Sequence, residues 1–269
     1  MSNTSMDALK LLEAGITKLI ESGEWTRYLK TQAAFHNYSF GNTLLIASQC
    51  PEASRVAGFK TWQKLGRHVR KGEKAIKILA PRPYTVTDEE GKERDKVAFA
   101  SVSVFDISQT DGEDLPTVAN KLTGDDKGLI AKLAAFSNNR GVKVAITATS
   151  EGMNGFYSPE KDSITVSDAL EPAQQAKTLA HEIAHSFLHR DLEVYRAHRP
   201  DSELEAESVA FVVLNHFGID SGDYSFGYVA SWRGADNAVS TLKACATRIQ
   251  ATAKAIIDGI ENKKEHESD

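Results

Sequence analysis

Residues 181–185 read His181-Glu182-Ile183-Ala184-His185 inside an apolar-periodic stretch, and no other feature restricts the fold as much. Apolar residues at helical spacing make this stretch a helix with one face in a core. Residues four apart share a face, so both imidazoles aim at one point beside the helix. Two imidazole nitrogens meeting at a point are metal donors, and a useful site needs a third donor carried in by another element. Glu182 lies next to that point, where its carboxylate can accept a proton.

The third donor is sought in Ser202-Glu203-Leu204-Glu205-Ala206-Glu207-Ser208-Val209-Ala210, on the following helix. Glu203 and Glu207 are one turn apart and share a face, whereas Glu205 points elsewhere and is expected on solvent. Glu207 is the favoured ligand, because Ser208 and Ala210 are small and let the two helices approach. Glu203 is then the alternative ligand, or the acceptor that holds a ligand histidine by its other ring nitrogen. His189 sits a further turn beyond His185, too far to share the ion, and is expected to cap or pack the helix end. One Zn2+ on two His and one Glu keeps a coordination position open, with Glu182 as general base for amide hydrolysis. The same donors also suit other divalent ions. Tyr195, His198, His216 and Tyr224 are candidates to stabilise the oxyanion, and the 155–166 hairpin can hold a peptide by strand addition.

Charge divides the chain. Residues 1–106 hold 16 Lys and Arg against 12 Asp and Glu; the remainder holds 16 against 25. Between residues 55 and 84, nine cations (Arg55, Lys60, Lys64, Arg67, Arg70, Lys71, Lys74, Lys77 and Arg82) face only Glu73. Such a run is costly without a counter-charge, and Phe40, Phe59, Trp62 and Tyr84 are interleaved with it, as on a groove that binds phosphates and stacks bases. The expected DNA contacts are Arg55, Lys60, Trp62, Lys64, Arg67, Arg70, Lys71 and Lys74. Cys50 and Cys245 match no metal or redox spacing and read as free thiols in a reducing compartment. No apolar run approaches a membrane span, and the N-terminus lacks a signal-peptide pattern, so a cytoplasmic protein is expected.

The fold class is α+β in two domains: residues 1–107, a linker at 108–124 rich in Asp, Gly, Thr and Ser, and residues 125–269. In the first domain helices are expected at 6–22, 25–35, 41–50 and 59–65, then strands at 75–79 and 97–105 joined by a long loop. In the second, a helix at 127–138 and a strand at 142–147 precede the 155–166 hairpin. Helices follow from Pro172 to about 188, from 201 to 217 and from 237 to 260, with a loop at 190–200. Asn37, Tyr38, Ser39 and Asn42 can fix the turn between the second and third helices.

Two resemblances bear on these expectations. The back half resembles the ImmA/IrrE-type zinc metallopeptidases, a minimal thermolysin-like (gluzincin) class. The matching residues are Gly155-Phe156-Tyr157, His181-Glu182-Ile183-Ala184-His185, His189 and Glu203 to Glu207 leading into Phe211. That resemblance implies zinc on His181, His185 and Glu207, with Glu182 as base. The front half is similar to the N-terminal domain of ArdC-type antirestriction proteins. It matches in Phe35 through Ile46, Val56 through Trp62, Leu65-Gly66-Arg67, Val69 through Lys74 and Ile78-Leu79-Ala80-Pro81. The interval from His185 to Glu203 is shorter than the metallopeptidase pattern.

The ArdC resemblance implies a protein of mobile elements that enter by conjugation, shielding incoming DNA from restriction. The expected function is therefore single-stranded DNA binding joined to zinc-dependent hydrolysis of an unidentified protein substrate. The alternative is a stoichiometric DNA-protecting module whose metal site is structural or vestigial.

Overall fold

A computed structural model of the chain describes residues 3–22, 24–87, 92–113, 128–219 and 238–261, without the side chains of 3–9 and 20–22. Three helices open the fold: α1 (Asn3–Ser22), α2 (Trp25–Ala34) and α3 (Phe40–Gln49). Ser39 caps α3 by accepting from the Asn42 amide. The short strand β1 (Val56–Ala57), helix α4 (Phe59–Lys64) and strand β2 (Arg67–Val69) follow.

The strands β3 (Ile76–Thr87) and β4 (Glu93–Asp106) form a long antiparallel ribbon, in a sheet ordered β1-β4-β3. The sequence places a loop where this ribbon continues past Leu79. Backbone pairing carries the two strands on because each antiparallel partner satisfies the other's N–H and C=O groups without needing a buried face. Pro81 and Pro83 are tolerated because β3 is an edge strand. Helix α3 docks on this strand through side-chain amides. Asn42 donates to the Leu79 carbonyl and accepts from the Leu79 amide, both at 2.9 Å. Gln49 makes the same pair of bonds with Lys77. Asn42 thus anchors a helix to a sheet edge, rather than serving only the turn.

A single 3-10 turn (Ile107–Gln109) leads into β5 (Thr110–Gly112), which pairs with β2. The expected linker therefore begins as ordered strand, and its remainder from 114 lies outside the described residues. Asp106 organises this corner. It is 1% exposed and accepts from the backbone N–H groups of Ser54, Arg55 and Ser108 at 2.8–3.0 Å.

The second half holds α5 (Leu129–Asn139) and a three-stranded sheet ordered β6-β8-β7, from β6 (Lys143–Thr147), β7 (Gly155–Ser158) and β8 (Ser163–Ser167). Helix α6 (Pro172–Leu188) carries the His-Glu-x-x-His run and starts with proline in its first turn, as expected. A short helix α7 (Leu192–Ala197) occupies the expected loop, its N-terminus capped by Asp191. Six residues are too few to show a helical period. Helices α8 (Arg199–His216) and α9 (Ala238–Glu261) complete the fold.

Helix α8 is buried on nearly every side from Leu204 to Leu214, Glu205 and Ser208 included. It packs against α6, α9 and α2. The contact with α2 draws the N-terminal helices into the same apolar core as the second half. Trp25, 1% exposed, seals it by donating its indole N–H to the Ser208 hydroxyl at 3.0 Å. Among the described residues no helix is long and apolar enough to cross a membrane.

Candidate metal centre

The site forms where the middle of α6 meets the first half of α8, in a cleft of about 370 Å³ roofed by β7. Gly155 lets β7 come this close: a Cβ there would sit 2.7 Å from the Thr178 methyl and 2.8 Å from the Thr165 carbonyl oxygen. His181 Nε2 and His185 Nε2 lie 3.0 Å apart. Glu203 Oε2 stands 3.4 Å from the first and 3.8 Å from the second. Three tetrahedral donors about 2.05 Å from zinc are separated by roughly 3.3 Å, so this triangle has the size a single ion requires.

The outer nitrogens are also engaged. His181 Nδ1 lies 3.2 Å from Glu207 Oε2, whose other oxygen pairs with Lys177 at 2.9 Å. His185 Nδ1 meets His189 Nδ1 at 2.9 Å, and His189 Nε2 continues to Glu205 at 3.1 Å. Glu205 is held in turn by Arg248 of α9. Both rings are therefore fixed from behind, with their Nε2 atoms turned to the common point.

Two expectations change here. Glu207, the favoured ligand, meets Nδ1 on the far side of the His181 ring, and the carboxylate grouped with both Nε2 atoms is that of Glu203, the alternative. The acidic pair shares one helix face, and the axial offset of α8 against α6 decides which member meets Nε2. Glu205, expected on solvent, is 3% exposed and ion-paired. It faces α9, an element that helical periodicity on α8 does not reveal. His189 packs the helix end as expected and also positions His185.

Electrostatics follow from this crowding. Burial pulls His181 down, yet Glu203 and Glu207 outweigh it and hold the ring up at about 9. Hydrogen bonds from His181 and His185 hold Glu203 well below the ordinary carboxylate range despite burial. Burial pushes Glu182 up to about 6, against His181 and a hydrogen bond from the Tyr157 amide. Tyr195 donates to Glu203 Oε1 at 2.5 Å and lines the cleft beside Arg199, a cation that no sequence motif marks. Its position follows from α7 turning the chain back over the site. His198 lies outside the cleft lining, His216 sits at the opposite end of α8, and Tyr224 is outside the described residues.

The basic segment is reshaped more strongly. Trp62 is fully buried, its indole N–H donating to the Phe105 carbonyl, so it offers no face to a base. Phe40 is buried too. Arg67 is 8% exposed and spends its guanidinium on Thr110, Gly112 and Glu113, which tie β2 to β5 and the residue after it. Arg70 is exposed but pairs with Glu73 and Asp111. Arg55 is half-buried and lines a different cavity, beside His36. Lys60, Lys64, Lys71 and Lys74 remain on the surface. Phe59 and Tyr84, 48% and 47% exposed, are the interleaved aromatics with open faces.

Comparison with known proteins finds two family models on successive parts of the chain. Residues 6–105 match the N-terminal domain of anti-restriction factor ArdC, and residues 138–217 match the IrrE N-terminal-like domain of the M78 peptidases. The chain joins an ArdC N-terminal domain to an M78 peptidase-family domain. Crystal structures of the antirestriction ArdC protein from the R388 plasmid, metal-free and Mn(II)-bound, share this fold. Their TM-scores are 0.62 and 0.59 at 22% identity, over 94% of this chain and 98% of theirs. A Bacillus anthracis protein described only as uncharacterized is 29% identical over 292 residues, covering 92% of this chain. The chain spans about half the length of that relative (50%). The ArdC-type part ends within β4, and the M78-type part holds α6, α7 and α8 with every residue of the candidate centre except Arg248.

Proposed function

We propose that the chain acts in antirestriction by coupling single-stranded DNA binding to metal-dependent hydrolysis of a protein substrate. The observation that carries this reading is the triangle of His181 Nε2, His185 Nε2 and Glu203 Oε2, with both outer ring nitrogens held by other side chains. These three residues would hold one zinc ion, which when bound supplies Lewis acidity toward a peptide carbonyl.

The chain's own residues do the rest. Glu182, 9% exposed and raised to about 6 by burial, accepts the proton of an attacking water and returns it to the departing amine nitrogen. The Tyr195 hydroxyl and the Arg199 guanidinium line the cleft where negative charge develops on the carbonyl oxygen. Strand β7 is an edge strand beside the cleft, where an extended peptide adds by strand pairing. On the ArdC-type part, Lys60, Lys64, Lys71 and Lys74 contact phosphates while Phe59 and Tyr84 stack bases. Arg55, Trp62, Arg67 and Arg70 are left out of this set, being engaged within the protein or remote from it.

The test is Glu182→Gln, assayed for cation binding, for gel shift of single-stranded oligonucleotides and for protection of incoming DNA in a restricting host. The expected result is unchanged cation and DNA binding with protection lost. Full protection by the variant refutes hydrolysis as the mechanism and leaves DNA coating.

A further inference from the structure

We propose a second divalent-cation site, formed by His36, His216 and Glu261 at the seam between the two parts of the chain. His36 follows α2, His216 ends α8 and Glu261 ends α9, so three distant segments converge. One donor atom from each lies within 4.8 Å of the other two. The two imidazole centroids are 4.5 Å apart, with their planes at 76°. His36 and His216 side chains are 12% and 16% exposed. This site does not depend on the function proposed above. His216 lies thirteen residues along α8 from Glu203, about 20 Å at 1.5 Å per residue.

Three details point to a cation rather than to packing alone. His216 Nδ1 is 3.1 Å from the Ala33 carbonyl oxygen, which accepts only if that nitrogen carries a proton. In the neutral ring Nε2 then presents a lone pair, and it faces Glu261 Oε1 at 2.9 Å. Two acceptors at that distance repel unless a proton or a metal lies between them. His36 Nδ1 is buried without a hydrogen-bond partner, an expensive condition for an imidazole nitrogen. The other ring nitrogen, Nε2, is already engaged, 3.2 Å from the Asn37 side-chain amide and 3.7 Å from Asp258.

Lys254 neutralises part of the acidic charge, at 2.6 Å from the other Asp258 oxygen. Two imidazoles with one carboxylate select a borderline ion such as zinc, cobalt or manganese. A cavity of about 710 Å³ opens beside the cluster and leaves room for waters to complete the coordination. Bound there, an ion would clamp the ArdC-type part to α8 and α9, and so tie the DNA-binding and peptidase-type regions together.

Cobalt(II) titration of the metal-stripped full chain tests this, read by visible absorption and by metal stoichiometry. Wild type is expected to take up two equivalents, and His181→Ala/His185→Ala one. In that double-variant background, Glu261→Gln and, separately, His36→Gln should weaken the remaining equivalent at least tenfold. Glu261→Gln keeps size and hydrogen bonding at a helix end, so its metal-free melting should match the parent's. No cobalt uptake by His181→Ala/His185→Ala overturns the proposal. So does an equivalent that neither further substitution disturbs. A wild type holding one ion, lost with His181 and His185, removes this site and leaves the first intact.

Discussion

Glu203 and Glu207 differ by one helical turn, and the geometry assigns them opposite sides of the same imidazole. Replacing each by glutamine keeps shape while removing charge. At Glu203 the lost group is one of the three proposed donors. A four-ligand zinc site is worth about 10–16 kcal/mol, or roughly 3–4 kcal/mol per donor. Glu203→Gln should therefore weaken zinc binding by roughly a hundredfold to a thousandfold. At Glu207 the lost group only orients His181, through a 3.2 Å contact to Nδ1. Such outer partners are worth about 10–100-fold in affinity, and the glutamine oxygen can still accept from Nδ1–H. Glu207→Gln should sit near the tenfold end of that range. The assay is competition for zinc against a chromophoric chelator, with thermal melting in chelator to show that both variants fold. A loss at Glu207 that equals or exceeds the loss at Glu203 would falsify the donor assignment.

Three further outcomes follow from the packing. Asp106→Ala strands three part-buried backbone N–H groups and should cost roughly 3 kcal/mol in urea unfolding. Although burial raises the Asp106 carboxyl, its hydrogen bonds lower it further. Its contribution is therefore complete above the ordinary aspartate value of about 3.9 and fades as pH falls toward the folded value; a wild-type-minus-variant difference that grows on acidification contradicts this. Gly259→Ala should destabilise the protein although alanine favours helices by about 1 kcal/mol. The added Cβ would stand 2.3 Å from the Phe136 ring, and a raised melting temperature would refute that clash. Lys71→Glu/Lys74→Glu should weaken single-strand binding and flatten its dependence on salt, whereas Arg67→Glu should chiefly lower stability. Equal effects of the two on unfolding midpoints would argue against that division.

Some of this protein was decided within single segments. The helical period around residues 181–185 sets His181 and His185 on one face with Glu182 beside them, and that geometry needs no tertiary information. Pro172 at a helix start is local in the same sense. The ordered motifs of the front half carried its family likeness, and charge singled out the basic segment.

Other features depend on how elements meet. Glu203 and Glu207 are equivalent by period, and only the offset between α6 and α8 separates them. Glu205 is buried because α9 brings Arg248 to it from 43 residues away. Arg67 and Trp62 look like DNA contacts by composition, but backbone carbonyls in β4, β5 and the residue after β5 claim their donors. His36, His216 and Glu261 share no motif at all. A chain encodes its faces locally, through periodicity and charge, but the partner each face meets is fixed by packing the whole core. That long-range choice is where the sequence stops and the tertiary structure begins.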